Sequence, residues 1–163
     1  MIGTMDKLQA HKKGGRLHRA VSIFIFNSKG DLLLQQRAVG KYHSGGKWSN
    51  TCCSHPFPGE KTIDAAYRCL KHEMGMADKL DFVFSFIYRE ELEDGLVEHE
   101  FDHVYFGISD NLPVLNPDEA ADYKYISMDE LAAELANDPE KYSKWLIVCY
   151  ERVLVYYRQL KFV

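Results

Sequence analysis

The segment from residue 41 to residue 75, around which the rest of the chain is organised, reads KYHSGGKWSNTCCSHPFPGEKTIDAAYRCLKHEMG. It sets two adjacent cysteines and a histidine before a turn, and a helix that carries Glu73 after the turn. Cys53 and His55 are two residues apart, so they share one face if the segment is extended. A thiol beside an imidazole suits proton transfer, nucleophilic attack or metal binding.

The second half of the stretch has the pattern of an amphipathic helix ending at Gly75, a residue typical of helix C-caps. Its apolar stripe consists of Ile63, Ala66, Tyr67, Leu70 and Met74. Glu73 lies on the border of that stripe, and a buried carboxylate needs a partner because an unpaired buried charge is costly. Arg68 and Lys71 point away from the stripe, a position that favours a solvent-exposed face over the alternative in which one of them folds back.

Strand and turn signals surround the helix. Residues 20–26 and 31–37 are β-rich and are joined by Asn-Ser-Lys-Gly, which indicates a hairpin. Further strands are predicted at 81–90, 96–108 and 122–126. Ser127 and Glu130 form a capping box for a helix to about residue 136, and a final helix is predicted from about Pro139. The pattern predicts one α+β domain with a mixed or antiparallel sheet and flanking helices.

One predicted strand carries two acidic residues on the same face. Glu98 and Glu100 alternate with His99 and share their face with Val104 and Phe106. Their Cα atoms would be about 6.5–7 Å apart, close enough to bind one ion. The alternative is that both residues lie on the solvent-exposed face of an edge strand.

Composition limits the class of protein. The chain has 163 residues and a net charge of −4, which argues against a nucleic-acid binder. Its four cysteines do not indicate a disulfide framework in a chain of this length. The sequence shows neither a signal peptide nor an apolar run near 18 residues, so we expect a cytoplasmic protein without a membrane segment.

Several side chains could together bind a metal. The candidates are His11, His18, His55, Glu98, Glu100, Cys53 and Glu73. Three histidines and two carboxylates fill most of an octahedron around Mn²⁺, Fe²⁺, Zn²⁺ or, less naturally, Mg²⁺. His11 and His18 lie in a polar segment, residues 1–19, without periodicity, and could equally be surface residues. Spacing alone does not establish the site.

Three separated motifs change this assessment: HKKGGRLH at 11–18, WSNTCCSHP at 48–56 and VEHE at 97–100. With these motifs in this order, the chain resembles type 1 isopentenyl-diphosphate Δ-isomerase from about Lys7 to Trp145. The resemblance implies an α+β Nudix-like fold in which a mixed β-sheet is sandwiched between helices. It also implies a single domain over residues 1–163, with residues 1–19 as an N-terminal arm that contributes metal ligands.

The resemblance implies an activity and its catalytic residues. The reaction converts isopentenyl diphosphate to dimethylallyl diphosphate by protonation and deprotonation through a tertiary carbocation. Cys53 would be the catalytic thiol, Glu100 the second proton-transfer group, and Tyr88 its assistant. The first divalent metal, Mn, Zn or Mg, would be held by His11, His18, His55, Glu98 and Glu100.

The resemblance also implies the residues that bind substrate. Arg37 and Lys41, in RAVGK, would contact the diphosphate, with Lys7 beside them, and Trp145 would lie over the isoprenyl carbons. Glu73 would help bind a Mg²⁺ ion that arrives with the diphosphate. The expected partner is a small isoprenyl diphosphate, not nucleic acid or membrane, and the protein is expected to be a monomer or a homodimer.

A degraded Nudix box separates this activity from its alternative. When the box is aligned on Gly75, Glu60, Arg68 and Glu73 are in place. Ser54 stands where the box begins with glycine, and Cys69 and His72 replace two acids. Hydrolases use that acid cluster to hold the metals that activate water, so its loss argues against hydrolysis. The alternative function is a Nudix hydrolase of a nucleoside diphosphate derivative, which would not require Cys53.

Overall fold

A computed structural model describes residues 3–12, 14–41, 43–92 and 95–162, and these contain seven strands and four α-helices. The strands are β1 His18–Phe26, β2 Leu32–Arg37, β3 Trp48–Ser49, β4 Cys52–Ser54, β5 Asp81–Glu91, β6 Val97–Ile108 and β7 Ala120–Ile126. The helices are α1 Lys7–His11, α2 Thr62–Met74, α3 Met128–Asn137 and α4 Lys144–Tyr157, with a 3₁₀ helix at Pro139–Lys141. Within the described ranges, no helix is both long and apolar enough to cross a membrane.

The strands form one mixed sheet. Its order is β3-β2-β1-β6-β5, with β4 paired to β1 and β7 paired to β2. The pair β1–β6 is parallel, whereas the β1–β2 and β5–β6 pairs are antiparallel. The predicted hairpin is present, because Phe26 pairs with Leu32 across a turn that ends at Gly30 (φ +88°). The sequence-based expectation of a mixed sheet is therefore confirmed.

Helices cover both faces of this sheet because side chains alternate along β1. Phe24 and Phe26 pack into a cluster with residues of α3 and α4. Val21 and Ile23 point to the other side and pack against α2. The α+β arrangement of a mixed sheet sandwiched between helices is confirmed.

Helix α2 ends where the sequence predicts, at a Gly75 cap. Gly75 adopts a left-handed conformation (φ +65°), and its N–H donates to the carbonyl groups of Leu70 and Lys71. Most of the apolar stripe is buried, but Tyr67 is 38 % exposed at its edge, where its hydroxyl accepts a hydrogen bond from Leu80 N (3.2 Å). The pattern therefore predicted the helix correctly but included one residue, Tyr67, that is not buried.

Two segments differ from the sequence-based expectation. The final helix does not begin at Pro139, because Ser143 N donates to the Trp48 carbonyl oxygen (2.9 Å) and ties the chain to β3 before α4 starts. The segment before β1 contains helix α1, capped by Asp6, whose side chain accepts from Gln9 N (3.2 Å). Five residues are too few to show a helical period, so the sequence did not reveal this helix.

Candidate active site

A cavity of about 240 Å³, here called the central cavity, gathers residues from eight of the named elements and from the loops between them. Ten of the sequence-predicted site residues line it: Lys7, Arg37, Lys41, Cys53, His55, Glu73, Tyr88, Glu98, Glu100 and Trp145. The other two, His11 and His18, contact the carboxylates of Glu98 and Glu100. The structure thus brings all twelve into one region.

Strand β4 directs Cys53 into the cavity. It pairs with β1 so that Cys53 stands opposite Ser22, and alternation sends the neighbouring Cys52 under α2, where it is fully buried. Burial raises the pKa of the Cys53 thiol well above its ordinary value, although the charge of Arg37 opposes this. Cys53 therefore carries its proton at neutral pH.

Glu98 and Glu100 lie on an interior strand. Strand β6 is flanked by β1 and β5, and only 3 % of Glu98 and 7 % of Glu100 are exposed, so the alternative of a solvent-exposed edge strand is wrong. Glu100 Oε1 is 2.7 Å from His55 Nε2, and its Oε2 accepts from the Tyr88 hydroxyl (2.7 Å). Glu98 Oε2 is 3.0 Å from His11 Nε2. Every oxygen in these contacts faces a group from another segment.

Five of these side chains have the donors of a metal site. One ligand atom from each of His11, His18, His55, Glu98 and Glu100 can be chosen so that all lie within 4.8 Å of one another. The Nδ1 atoms of His11 and His18 face the carbonyl oxygens of Lys7 (2.6 Å) and Arg16 (2.7 Å). A carbonyl only accepts, so both Nδ1 atoms carry hydrogen and leave Nε2 as the inward-facing ligand atom.

A buried nitrogen without a hydrogen-bond partner also indicates a metal site at this cluster. Nε2 of His18 is buried and makes no hydrogen bond within the described residues, although it lies 3.5 Å from Glu100 Oε1. A buried ring nitrogen without a partner is costly, and a cation would satisfy it. Three imidazoles and two carboxylates match the preferences of a divalent transition metal.

The charges at this cluster also call for a cation. Burial and the nearby charge of Glu100 raise the pKa of Glu98 to about 6. Burial also opposes ionisation of Glu100, but its close contacts with the imidazoles of His18 and His55 outweigh it and hold its pKa well below the ordinary value. Glu100 is therefore the ionised member, and a second negative charge beside it requires compensation.

Two basic residues, Arg37 and Lys41, also line the cavity. Arg37 is 7 % exposed, its guanidinium carbon lies 5.0 Å from the Trp145 ring centroid, and its Nε has no hydrogen-bond partner in the described part of the chain. Lys41 forms an ion pair with Glu119. The indole of Trp145 donates from Nε1 to Ser49 Oγ (2.9 Å) and to Asn50 Oδ1 (3.1 Å), which fixes the plane of the ring.

Glu73 reaches the cavity from the last turn of α2. It is 8 % exposed, and its Oε2 accepts a hydrogen bond from Gln35 Nε2 (2.8 Å). Burial raises the pKa of Glu73, although the Gln35 hydrogen bond opposes the shift. The partner that a border position requires is thus Gln35, a residue that the sequence did not point to.

Sequence reasoning missed or misplaced other residues of the wall. Arg68 is only 33 % exposed, because it folds back instead of facing solvent fully: its Nε and Nη2 donate to the Glu60 carboxylate (2.9 and 2.8 Å), and it lines the cavity. His43 is buried, with Nε2 3.6 Å from Glu98 Oε1 and its ring perpendicular to Trp145. Burial lowers the pKa of His43 to about 3, so its ring is neutral. A glycine-rich loop has no periodicity that could have revealed it.

Similarity to known proteins identifies the family. The family profile of the NUDIX domain matches residues 16–146. "Isopentenyl-diphosphate Delta-isomerase 2" of Aromatoleum aromaticum is 55 % identical over 94 % of this chain and 80 % of that protein. "Isopentenyl-diphosphate Delta-isomerase" of Pectobacterium atrosepticum is 50 % identical over 98 % of this chain and 88 % of that protein. The chain belongs to the isopentenyl-diphosphate Delta-isomerase family.

Solved structures agree with the Nudix fold of this isopentenyl-diphosphate Delta-isomerase family member. DR0079 from Deinococcus radiodurans superposes with a TM-score of 0.72 at 22 % identity, covering 83 % of this chain and 82 % of that one. The MutT protein of Methanosarcina mazei Go1 gives 0.68 at 20 % identity, covering 83 % and 91 %. At these identities the likeness shows the fold alone.

Proposed function

We infer that this chain converts isopentenyl diphosphate to dimethylallyl diphosphate. The observation that carries the inference is that Cys53, from β4, and Glu100, from β6, line the same cavity. Relatives at 50–55 % identity that bear the isomerase name support it. The Nudix hydrolase alternative is not favoured, because Cys69 and His72 replace two acids of the box.

The reaction needs two proton transfers. A proton added to the terminal carbon of the double bond leaves a tertiary cation at C3, and loss of a proton from C2 forms the new double bond. Cys53 enters as a thiol and Glu100 as a carboxylate, so one proton can be given by a residue of β4 and another taken by a residue of β6. In the reverse reaction each group takes the opposite role. Tyr88 assists because its hydroxyl donates a hydrogen bond to Glu100 (2.7 Å).

A divalent metal would be held by His11, His18, His55, Glu98 and Glu100, whose ligand atoms lie within 4.8 Å of one another. Such an ion supplies positive charge that fixes the Glu100 carboxylate and lowers its affinity for a proton. The donor set suits Mn or Zn better than Mg. Metal analysis of the purified protein tests this order of preference.

The diphosphate would occupy the basic part of the wall. Arg37, Lys41 and Lys7 line the cavity there, and Glu73 would share the Mg²⁺ ion that accompanies the diphosphate. These contacts are remote from the reacting carbons, so their binding energy can hold the hydrocarbon between Cys53 and Glu100. The oligomeric state, monomer or homodimer, and the cytoplasmic location stay predictions.

The carbocation requires a dry aromatic wall, because water would trap it as an alcohol. Trp145 is 4 % exposed and lines the cavity, and its ring is held by hydrogen bonds to Ser49 and Asn50. A desolvated cation–π contact is worth about 2 kcal/mol or more. Trp145 would therefore stabilise the positive carbon as it forms.

One assay tests the proposed function. Isopentenyl diphosphate is incubated with the protein and Mg²⁺ in D₂O and followed by NMR. We expect dimethylallyl diphosphate that carries deuterium, because the hydrogens of the two proton-transfer groups, Cys53 and Glu100, exchange with solvent. Unchanged substrate together with cleavage of nucleoside diphosphate derivatives would instead support the hydrolase.

A further inference from the structure

A short turn, residues 116–119, connects Glu73 and Lys41. These are two of the residues assigned above to the part of the cavity that would bind the diphosphate, called here the diphosphate part of the cavity. On one side it is fastened to α2, because Asn116 N donates to the Glu73 carbonyl oxygen (3.0 Å). Within the turn, Glu119 N donates to the Asn116 carbonyl oxygen (3.0 Å). These main-chain hydrogen bonds fix the position of Glu119 relative to Glu73.

On its other side the turn holds the loop after β2. Ala38 N donates to the Glu119 carbonyl oxygen (2.9 Å), and Lys41 N donates to the Ala38 carbonyl oxygen (3.2 Å). The Lys41 ammonium also forms an ion pair with the Glu119 carboxylate. Main-chain and side-chain bonds therefore fix Lys41 to Glu119, and through Asn116 to Glu73.

The Glu119 carboxylate lines the central cavity itself, although its side chain is 22 % exposed. His72 Nε2, at a box position that carries an acid in hydrolases, lies 3.5 Å from its Oε1. Partial burial disfavours the charged form, but the hydrogen bond and charge of Lys41 outweigh this and lower the pKa of Glu119. A carboxylate from another segment thus stands beside a position where the box has lost one.

We propose that Glu119 is a positioning residue that holds the Lys41 ammonium at the diphosphate part of the cavity, at a fixed separation from Glu73. The proposal rests on the proposed function, because that function gives Lys41 and Glu73 their roles. A free lysine side chain loses rotamer freedom when it binds an anion, and an ammonium that is already ordered loses less. Glu119 therefore improves binding of the diphosphate without touching the reacting carbons.

The test measures binding of inorganic pyrophosphate with Mg²⁺ by calorimetry. We expect Glu119→Gln to weaken binding about 10-fold and to raise the KM for isopentenyl diphosphate similarly, with kcat changed less than about 3-fold. Asp118→Asn, an equal charge change at the exposed neighbour, should bind within about 2-fold of wild type. Glu119→Asp keeps the charge, shortens the reach, and serves if Glu119→Gln does not fold.

A double-mutant cycle identifies the residue through which Glu119 acts. Lys41→Met should itself weaken pyrophosphate binding, and adding Glu119→Gln to it should cause no further loss. The proposal would be overturned if Glu119→Gln bound pyrophosphate as tightly as wild type, or more tightly because Glu119 competes with the anion. It would also be overturned if Glu119→Gln kept its full effect in the Lys41→Met background. Unchanged binding by Lys41→Met would contradict the diphosphate placement instead, and absence of deuterated product would contradict the isomerase function.

Discussion

Tyr88 and Glu100 stand directly opposite each other in the β5–β6 ladder, and the Tyr88 hydroxyl donates to Glu100 Oε2 at 2.7 Å. The other carboxylate oxygen is 2.7 Å from His55 Nε2, so both oxygens of Glu100 are held. Burial, reinforced by the charge of Glu100, raises the pKa of Tyr88 well above its ordinary value. Tyr88 therefore keeps its hydrogen and acts as a permanent donor to the carboxylate.

Tyr88→Phe removes that donor and little else. We expect kcat for isomerisation to fall about 10- to 100-fold, because Glu100 loses orientation and part of its stabilisation. Steady-state kinetics with isopentenyl diphosphate measures the change. Tyr150→Phe is the matched control: the Tyr150 hydroxyl donates to the Met128 carbonyl oxygen (2.8 Å) and the residue does not line the cavity. It should cost about 1 kcal/mol of stability and leave kcat intact; equal losses of kcat in the two variants would contradict the assigned role.

Adjacent cysteines offer a second comparison. Cys53→Ala should reduce isomerisation by about 1000-fold or more, because no other thiol lines the described cavity wall. Cys52→Ala removes the same atom on the opposite side of β4, under α2, and should cost about 1–2 kcal/mol of stability while activity persists. Circular dichroism and deuterium incorporation together separate the two effects. Wild-type turnover by Cys53→Ala would refute the catalytic assignment.

Removal of bound metal should destabilise the fold. Without a cation, the buried carboxylates of Glu98 and Glu100 repel each other, and burial together with this charge raises the pKa of Glu98 to about 6. We expect a chelator to lower the melting temperature by about 5–10 °C, and added Mn²⁺ or Zn²⁺ to restore it. In His11→Gln, which loses one of the five donors, the difference should shrink. An identical melting temperature with and without chelator would rule out the five-residue site.

The contact between Glu60 and Arg68 predicts a pH dependence of stability. The hydrogen bonds from Arg68 lower the pKa of Glu60, which also accepts from Phe57 N (2.7 Å). A depressed pKa means that the stabilisation is present above the unfolded value near 4.5 and disappears as pH falls through the lower folded value. Urea unfolding should show Glu60→Gln to be about 1 kcal/mol less stable than wild type at pH 7, with the difference shrinking as the pH falls below 4.5.

A control substitution at another carboxylate tests whether the pH dependence of stability comes from Glu60. Glu140→Gln, in the exposed 3₁₀ helix, should differ from wild type by less than about 0.5 kcal/mol at every pH. A Glu60→Gln difference that stayed constant from pH 7 to pH 3 would show that the loss comes from packing and not from the charge.

Local pattern was enough to predict most of the fold. Runs of β-rich residues indicated the strands β1, β2, β5 and β6, with period-two alternation along β6, and a helical stripe ending at Gly75 indicated α2. Each of these signals involves residues close in sequence, because the backbone geometry of a strand or helix repeats over two to four residues. The same alternation placed Glu98 and Glu100 on one face, and Cys53 and His55 on one face, from their spacing alone.

The residue pattern thus predicted which side chains share a face, and the motifs pointed to the family. Contacts between these faces depend on the tertiary fold: His11 contacts Glu98, 87 positions away, Glu73 contacts Gln35, 38 positions away, and Lys41 contacts Glu119, 78 positions away. These contacts form where the sheet order brings distant segments together, and such segments have no common period that a local pattern could reveal. For the same reason Glu119, His43 and Arg68 became visible as parts of the cavity wall only in the folded chain.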